Sequence, residues 1–158
     1  MGLPGSGKSY LAVRLAKAIG SQYLSSSQIR NTIPEPHLYD LHSKDKIYHE
    51  MCRQMEHYLR KGLAIVLDAT FYRKRFRDWF QEKAADYHVP LYFIETVAAE
   101  HIIRERLQKL RNGNDAAYEV YLKLKRHSEY LTENHLILHT DRLSVTEMLN
   151  MARAYVGK

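Results

Sequence analysis

Residues 2–9 read Gly2-Leu3-Pro4-Gly5-Ser6-Gly7-Lys8-Ser9, which fills every fixed position of the G-x-x-x-x-G-K-[ST] pattern. The spacing has a physical purpose. Glycines at 2, 5 and 7 allow backbone conformations that a Cβ forbids, so the loop can turn its N–H groups inward around a phosphate. Leu11, Leu15, Ala18 and Ile19 follow at helical spacing, and the positive N-terminal end of that helix faces the same anion. Lys8 would reach the β- and γ-phosphates of a nucleoside triphosphate, and Ser9 would place its hydroxyl on Mg²⁺. Gly2, Pro4, Gly5, Ser6, Gly7, Lys8, Ser9 and Tyr10 are the expected contacts to ATP.

A second acidic signal lies further on. Asp68 closes the apolar run Leu63-Ala64-Ile65-Val66-Leu67 and is followed by Ala69-Thr70-Phe71. A carboxylate at a strand tip beside a phosphate loop can hold Mg²⁺ or its water. An aspartate there can also cap a helix beginning near Tyr72. The phosphate loop in the same chain favours the metal role, shared between Ser9 and Asp68.

The elements that must position these residues alternate between helix and strand. The patterning predicts a helix over 7–19, a short strand over 22–25 and a turn of helix around 28–32. A loop follows over 33–43, broken by Pro34 and Pro36. Ile47, Met51, Met55 and Leu59 mark one side of a long helix, in which methionine reads as core filler. Gly62 ends that helix. The run 63–67 reads as a buried strand, and another helix carries Phe76, Trp79 and Phe80. Residues 90–94 form the next strand, 98–111 a basic helix, 115–129 a second helix and 135–139 the last strand. Val145, Met148, Leu149, Ala152 and Tyr155 define a final amphipathic helix. This alternation predicts an α/β fold with a parallel sheet covered on both faces. Ligands then bind at the carboxyl ends of the strands, where Ser25, Asp68 and the phosphate loop fall.

A loop of this kind normally joins a buried strand to a helix, yet only Met1 precedes Gly2. A start codon assigned too late, a true truncation and a strand lent by another chain all account for this. The late start is the expectation adopted.

The chain has 158 residues, 45% hydrophobic and 27% charged, as expected of one globular domain over 1–158. No apolar run approaches membrane-spanning length and no signal peptide is visible. Cys52 is the lone cysteine, so no internal disulfide can form and a reduced, cytoplasmic setting is expected. The net charge of +6 and pI near 9.4 suit anionic ligands. The 9 histidines show no paired metal spacing. The 12 tyrosines are compatible with base stacking, although on amphipathic helices they more often sit at core edges.

Taken together, the loop, Ser25-Ser26-Ser27-Gln28-Ile29-Arg30, Val66-Leu67-Asp68-Ala69-Thr70-Phe71 with Arg77-Asp78, and Glu105-Arg106-Leu107 resemble the small P-loop kinases. The resemblance is greatest to the AAA-type ATP-binding kinase domain of polynucleotide 5′-kinases and its zeta-toxin-like and chloramphenicol phosphotransferase-like relatives. It implies a P-loop NTPase three-layer sandwich with sheet order 2-3-1-4-5. It also implies phosphoryl transfer from ATP, with Mg²⁺, to a hydroxyl of a nucleic acid, nucleotide, sugar or antibiotic. Arg30 would hold the acceptor, through a phosphate or another anion. In such kinases an aspartate three residues before the matching arginine is the general base, whereas position 27 here is serine. Its hydroxyl is no useful base near neutral pH. Asp68, Asp40 or Asp45 could take over, or the chain binds ATP without transferring phosphate.

The same resemblance makes about 104–128 a lid, with Arg106 and Arg111 neutralising the transferring phosphoryl group beside Lys8 and Asp68. Arg104 is as well explained by a solvated helix face. Asn112-Gly113-Asn114 suits a hinge. Arg73-Lys74-Arg75-Arg77 reads first as a solvated helix start and second as an anion contact.

Overall fold

The computed structural model describes residues 1–33, 41–110 and 116–157. Asp40, Arg111, the 112–114 break and the prolines at 34 and 36 lie outside the described residues. The elements run in the order α1 (Lys8–Ala18), β1 (Gln22–Ser25), α2 (Ser26–Thr32), α3 (Leu41–Leu59), β2 (Ile65–Asp68), α4 (Lys74–Asp86), β3 (Phe93–Val97), α5 (Glu100–Leu110), α6 (Ala116–Arg126), β4 (His135–His139) and α7 (Val145–Tyr155).

Local chemistry explains most boundaries. The side chain of Ser25 accepts from the Ser27 N–H and caps α2, which starts that helix ahead of the expected position. Ser144 and Glu147 form a reciprocal capping box on α7. β2 begins at Ile65 because the Leu63 N–H still bonds the Tyr58 carbonyl at 3.1 Å as α3 unwinds. β3 lies later than the expected 90–94. Pro90 has no N–H to give a ladder, and pairing with β4 starts at Phe93 opposite His135.

The strands form two parallel pairs. β1 pairs with β2, Ser25 opposite Asp68, and β3 pairs with β4, Val97 opposite His139. β2 and β3 are not bonded to each other. A slot of about 460 Å³ separates them, lined by Ile65 and Leu67 on one side and Leu91 and Phe93 on the other. The two parallel pairs are consistent with the expected order 2-3-1-4-5, although the described residues form two two-stranded sheets and not one sheet of five. Met1 sits at one end of that slot. Its amino group donates to the Ile94 carbonyl at 2.6 Å, and the Thr96 N–H donates to the Met1 carbonyl at 2.9 Å.

Helices cover both faces. On one, Ile47, Met51 and Met55 of α3 pack with Phe76 and Phe80 of α4 against Leu24. Met51 is fully buried, as the filler reading expects. On the other, Leu11 and Leu15 of α1 pack with Leu138 and with Met148 and Ala152 of α7. A third cluster joins Ile103 and Leu107 of α5 to Tyr121 of α6, with Leu3 of the phosphate loop against it. No helix among the described residues is long and apolar enough to cross a membrane.

Candidate active site

The phosphate loop is held from outside. The Thr140 hydroxyl donates to the Ser6 carbonyl at 2.8 Å. Arg106 donates to the Gly5 carbonyl at 3.2 Å and to the Thr140 side chain at 2.8 Å and carbonyl at 3.0 Å. With the Ser6 carbonyl held by Thr140, the planar trans peptide sets the Gly7 N–H on the opposite side. Glycines 2, 5 and 7 all have positive φ, and the contacts are clearest at two of them. Gly7 has φ 85, and a Cβ there would lie 3.2 Å from three side-chain atoms of Thr140. At Gly2 a Cβ would lie 2.5 Å from Ser6 Oγ and 2.6 Å from the Thr96 carbonyl oxygen. Ser6 is buried and its hydroxyl shares a hydrogen bond with Thr96 at 2.8 Å. Ser9 and Tyr10 are exposed, with the Arg14 guanidinium 3.5 Å over the Tyr10 ring. Pro4 lies in the half-buried turn of the loop.

Asp68 ends β2 opposite Ser25 and is 3% exposed. The Tyr23 hydroxyl donates to Asp68 Oδ2 at 2.7 Å, while Asp68 Oδ1 is buried with no hydrogen-bond partner among the described residues. A carboxylate oxygen oriented in this way and left unsatisfied fits a cation or its water. Ser25 and Ser9 also act on the Tyr23 hydroxyl, each favouring its ionised form. Burial and the Asp68 bond push the Tyr23 hydroxyl up to about 12, so it stays a donor. Among the described residues no group of three His, Cys, Asp or Glu side chains converges on a metal position.

Lys8 stands in the same place. Burial pushes its ammonium down, Asp68 pulls it up and Arg30 pushes it down again, and Lys8 and Asp68 line the same cavity. Arg30 lies on α2, half-buried. Its field also reaches Lys44 of α3, which burial and then Lys123, Arg30 and Arg73 bring down to about 8. Ser27 is exposed and its hydroxyl shares a hydrogen bond with Ser25 at 2.7 Å. Asp45, one of the alternative bases, is ion-paired to Arg75.

The cations of the 73–77 stretch have separate fates. Arg73 faces Glu129 at 3.7 Å, Lys74 faces Asp78 at 2.6 Å and Arg75 faces Asp45. Arg77 departs from the expected solvated helix start, being completely buried. It donates to the Phe71 carbonyl at 3.1 Å, the Tyr130 carbonyl at 2.8 Å and Glu133 at 3.1 Å. Phe71 has φ 49, a left-handed backbone held by Arg77 on its carbonyl and by Tyr48, whose hydroxyl accepts the Phe71 N–H at 2.9 Å. Arg77 therefore fixes the turn that follows Asp68. Arg104 lies over the Tyr118 ring at 5.2 Å. Arg106, expected on the phosphoryl group, is bonded to the Gly5 carbonyl of the loop and to Thr140.

Sequence reasoning missed Tyr23 and Thr140. Thr140 follows the last strand, and the rule that ligands gather at strand carboxyl ends points to it. Tyr23 carries no such signal, since an aromatic residue on a short strand reads as core.

The family described as AAA domain matches residues 1–130. An uncharacterized protein of Mycobacterium tuberculosis and one of Mycobacterium bovis are each 29% identical over 132 residues, covering 75% of this chain. The chain spans 26% of the length of these curated relatives. Among solved structures, the APS kinase of Mycobacterium tuberculosis in complex with AMPPNP and APS superposes with TM-score 0.76 at 15% identity, covering 100% of this chain and 95% of that one. A sugar kinase from Janibacter gives 0.75 at 16%, covering 99% and 91%. Kti12 of Chaetomium thermophilum with ADP-AlF3 gives 0.69 at 15%, covering 99% and 96%. The phosphate loop, the strand-tip aspartate and the parallel strand pairs thus fall within a match over most of the sequence, and the chain belongs to the AAA domain family with the fold of a P-loop kinase.

Proposed function

We propose that the protein transfers the γ-phosphoryl group of ATP to a hydroxyl of an anionic acceptor. The phosphates would lie on the amides that open α1, with Lys8 on the β- and γ-oxygens. Bound Mg²⁺, held by Ser9 and Asp68, would neutralise charge on the phosphate oxygens. Tyr23 orients Asp68 by its bond to Oδ2. Thr140 and Arg106 hold the loop from behind, and preorganisation of this kind is the main contribution to this chemistry. Arg30 and Lys44 supply positive charge on the acceptor side, with Ser27 at its edge. The segment 104–128 acts as the lid over a single domain, with Arg111 its remaining expected cation. With Cys52 as its lone thiol, the chain suits the reducing cytoplasm.

The observation that carries this reading is the buried Asp68 carboxylate at the tip of β2, one oxygen held by Tyr23 and the other without a partner among the described residues, in a chain whose phosphate loop is braced by Thr140 and Arg106. The test is ATP turnover across acceptors bearing a hydroxyl and an anionic group: nucleotides, oligonucleotides with a 5′-hydroxyl and sugar acids. Turnover with one class, lost in Lys8→Ala, supports it; no transfer to any of them with ATP bound refutes it.

A second reading is a nucleotide-binding module with weak or no transfer. The Ser25–Ser27 hydrogen bond favours it, because a serine tied to a helix cap stands where the resemblance implies a base. Ser27→Asp separates the two. A rise in turnover of about 10²-fold or more marks a lost base; an unchanged rate shows that position 27 is not one.

A further inference from the structure

The segment between the tip of β2 and the start of α4 carries donors that the packing leaves unsatisfied. Tyr72 is 2% exposed, yet its hydroxyl has no hydrogen-bond partner among the described residues. The Nε of the adjacent Arg73 is buried and lacks a partner in the same sense. Folded proteins leave few buried polar groups in this state. Two neighbouring ones, at the carboxyl end of a parallel strand where ligands gather, point to an acceptor atom supplied from outside the chain.

Cations from two elements share the Tyr72 ring. Lys44 Nζ of α3 lies 4.7 Å from its centroid and the Arg73 guanidinium 5.8 Å from it. The carboxylate facing Arg73 leaves it available. Glu129 Oε1 is 3.7 Å from the guanidinium, beyond hydrogen-bond length, and Glu129 Oε2 accepts the Lys74 N–H at 2.6 Å. Burial pushes the Tyr72 hydroxyl up while Arg73 pulls it down, and the net shift is upward, so it keeps its proton and can donate. After burial, Lys123 of α6, Arg30 of α2 and Arg73 are the groups that act most on Lys44.

We propose that Tyr72, Arg73 and Lys44 bind a phosphomonoester group carried by the acceptor. The Tyr72 hydroxyl and Arg73 Nε donate to its oxygens, and Lys44 supplies charge. A phosphomonoester brings nearly two negative charges and three acceptor oxygens near pH 7, which answers two unpaired donors among several cations; a carboxylate brings one charge and two oxygens. The acceptor is then a phosphorylated molecule that presents a separate hydroxyl. This inference rests on the proposed acceptor side and names the chemical class that it takes.

The test measures binding rather than turnover, in a Lys8→Ala background that weakens the phosphate loop. Calorimetric titration uses inorganic phosphate and acetate, followed by a nucleoside 3′-monophosphate and a sugar phosphate to distinguish two sources of the group. Saturable phosphate binding is expected, with acetate weaker by at least about tenfold. Adding Tyr72→Phe should weaken phosphate by at least about tenfold, and Arg73→Lys should weaken it too, because lysine keeps the charge and loses the Nε donor. Without ligand, the Tyr72→Phe chain should unfold at or above the midpoint of its background, since the lost hydroxyl was unpaired. Absence of saturable phosphate binding overturns the proposal, as does affinity unchanged in both variants or equal affinity for acetate. A lower midpoint in Tyr72→Phe shows a hydroxyl bonded within the fold and also overturns it. Phosphate bound at Tyr72 with no transfer from ATP in the parent chain counts against the kinase reading alone. Transfer in the parent chain without phosphate binding at Tyr72 counts against this site alone.

Discussion

Replacing Arg77 by methionine tests how the loop carrying Asp68 is held. Arg77 is completely buried and makes three hydrogen bonds, to the Phe71 and Tyr130 carbonyls and to Glu133. Methionine restores the bulk and none of the donors. Removing one partner of a buried pair costs about 3–5 kcal/mol, mainly through the charge left behind. For a chain of this size each kcal/mol lowers the unfolding midpoint by about 2–4 °C, so the expected fall is roughly 6–20 °C. Arg77→Lys rescues little, because one ammonium cannot reproduce the guanidinium fork. Adding Glu133→Gln to Arg77→Met recovers part of the loss by removing the stranded carboxylate. The pH dependence has a definite sign. Burial pushes Glu133 up, but hydrogen bonds from its own backbone segment and from Arg77 outweigh it and hold the carboxyl below its ordinary 4.5. Its stabilisation is therefore complete above that value and is lost as pH falls through the depressed folded value. In Arg77→Met this acid-side loss is expected to shrink or reverse. Calorimetry and circular dichroism across pH 3–7 measure both effects. A midpoint within about 2 °C of the parent chain would refute the account of Arg77.

Other substitutions probe the site itself. Tyr23→Phe removes the donor to Asp68 Oδ2. Bonds to charged groups contribute about 1.5–3 kcal/mol, so the midpoint should fall by roughly 3–12 °C, turnover should fall about tenfold or more and more Mg²⁺ should be needed. Gly7→Ala places a Cβ 3.2 Å from Thr140 at φ 85. Calorimetric ATP affinity should fall by about 5- to 150-fold, given about 1–3 kcal/mol of backbone strain. Lys44 is held at about 8, so binding of inorganic pyrophosphate, followed by titration, should weaken as pH rises through 8 and lose that dependence in Lys44→Met. Because the unfolded lysine keeps its proton up to about 10.5, stability rises with pH between those values.

What could be read from the sequence was whatever rests on local spacing. The phosphate loop, the strand ending on Asp68 and the apolar stripe Ile47–Met51–Met55 all appear where periodicity put them, and 135–139 is a strand over those same residues. What could not be read depends on contacts between distant segments. Arg77 looks like one cation in a basic run until Glu133 and Tyr130, more than fifty residues away, close around it. Tyr23 becomes a site residue only because the parallel register sets β1 beside β2, and its hydroxyl reaches Asp68. Arg106 resembles a lid arginine in sequence, yet its partners are Gly5 and Thr140, which local spacing does not bring together.

The central claim is that Lys8 and Asp68 form one Mg²⁺-dependent nucleotide site. Isothermal titration of a non-hydrolysable ATP analogue, with and without Mg²⁺, tests it most directly in the parent chain, Lys8→Ala and Asp68→Asn. The account predicts one site per chain, tighter with Mg²⁺, at least about tenfold weaker in Lys8→Ala and no longer strengthened by Mg²⁺ in Asp68→Asn. Binding that is equal in all three proteins, or absent from a folded parent chain, would contradict it.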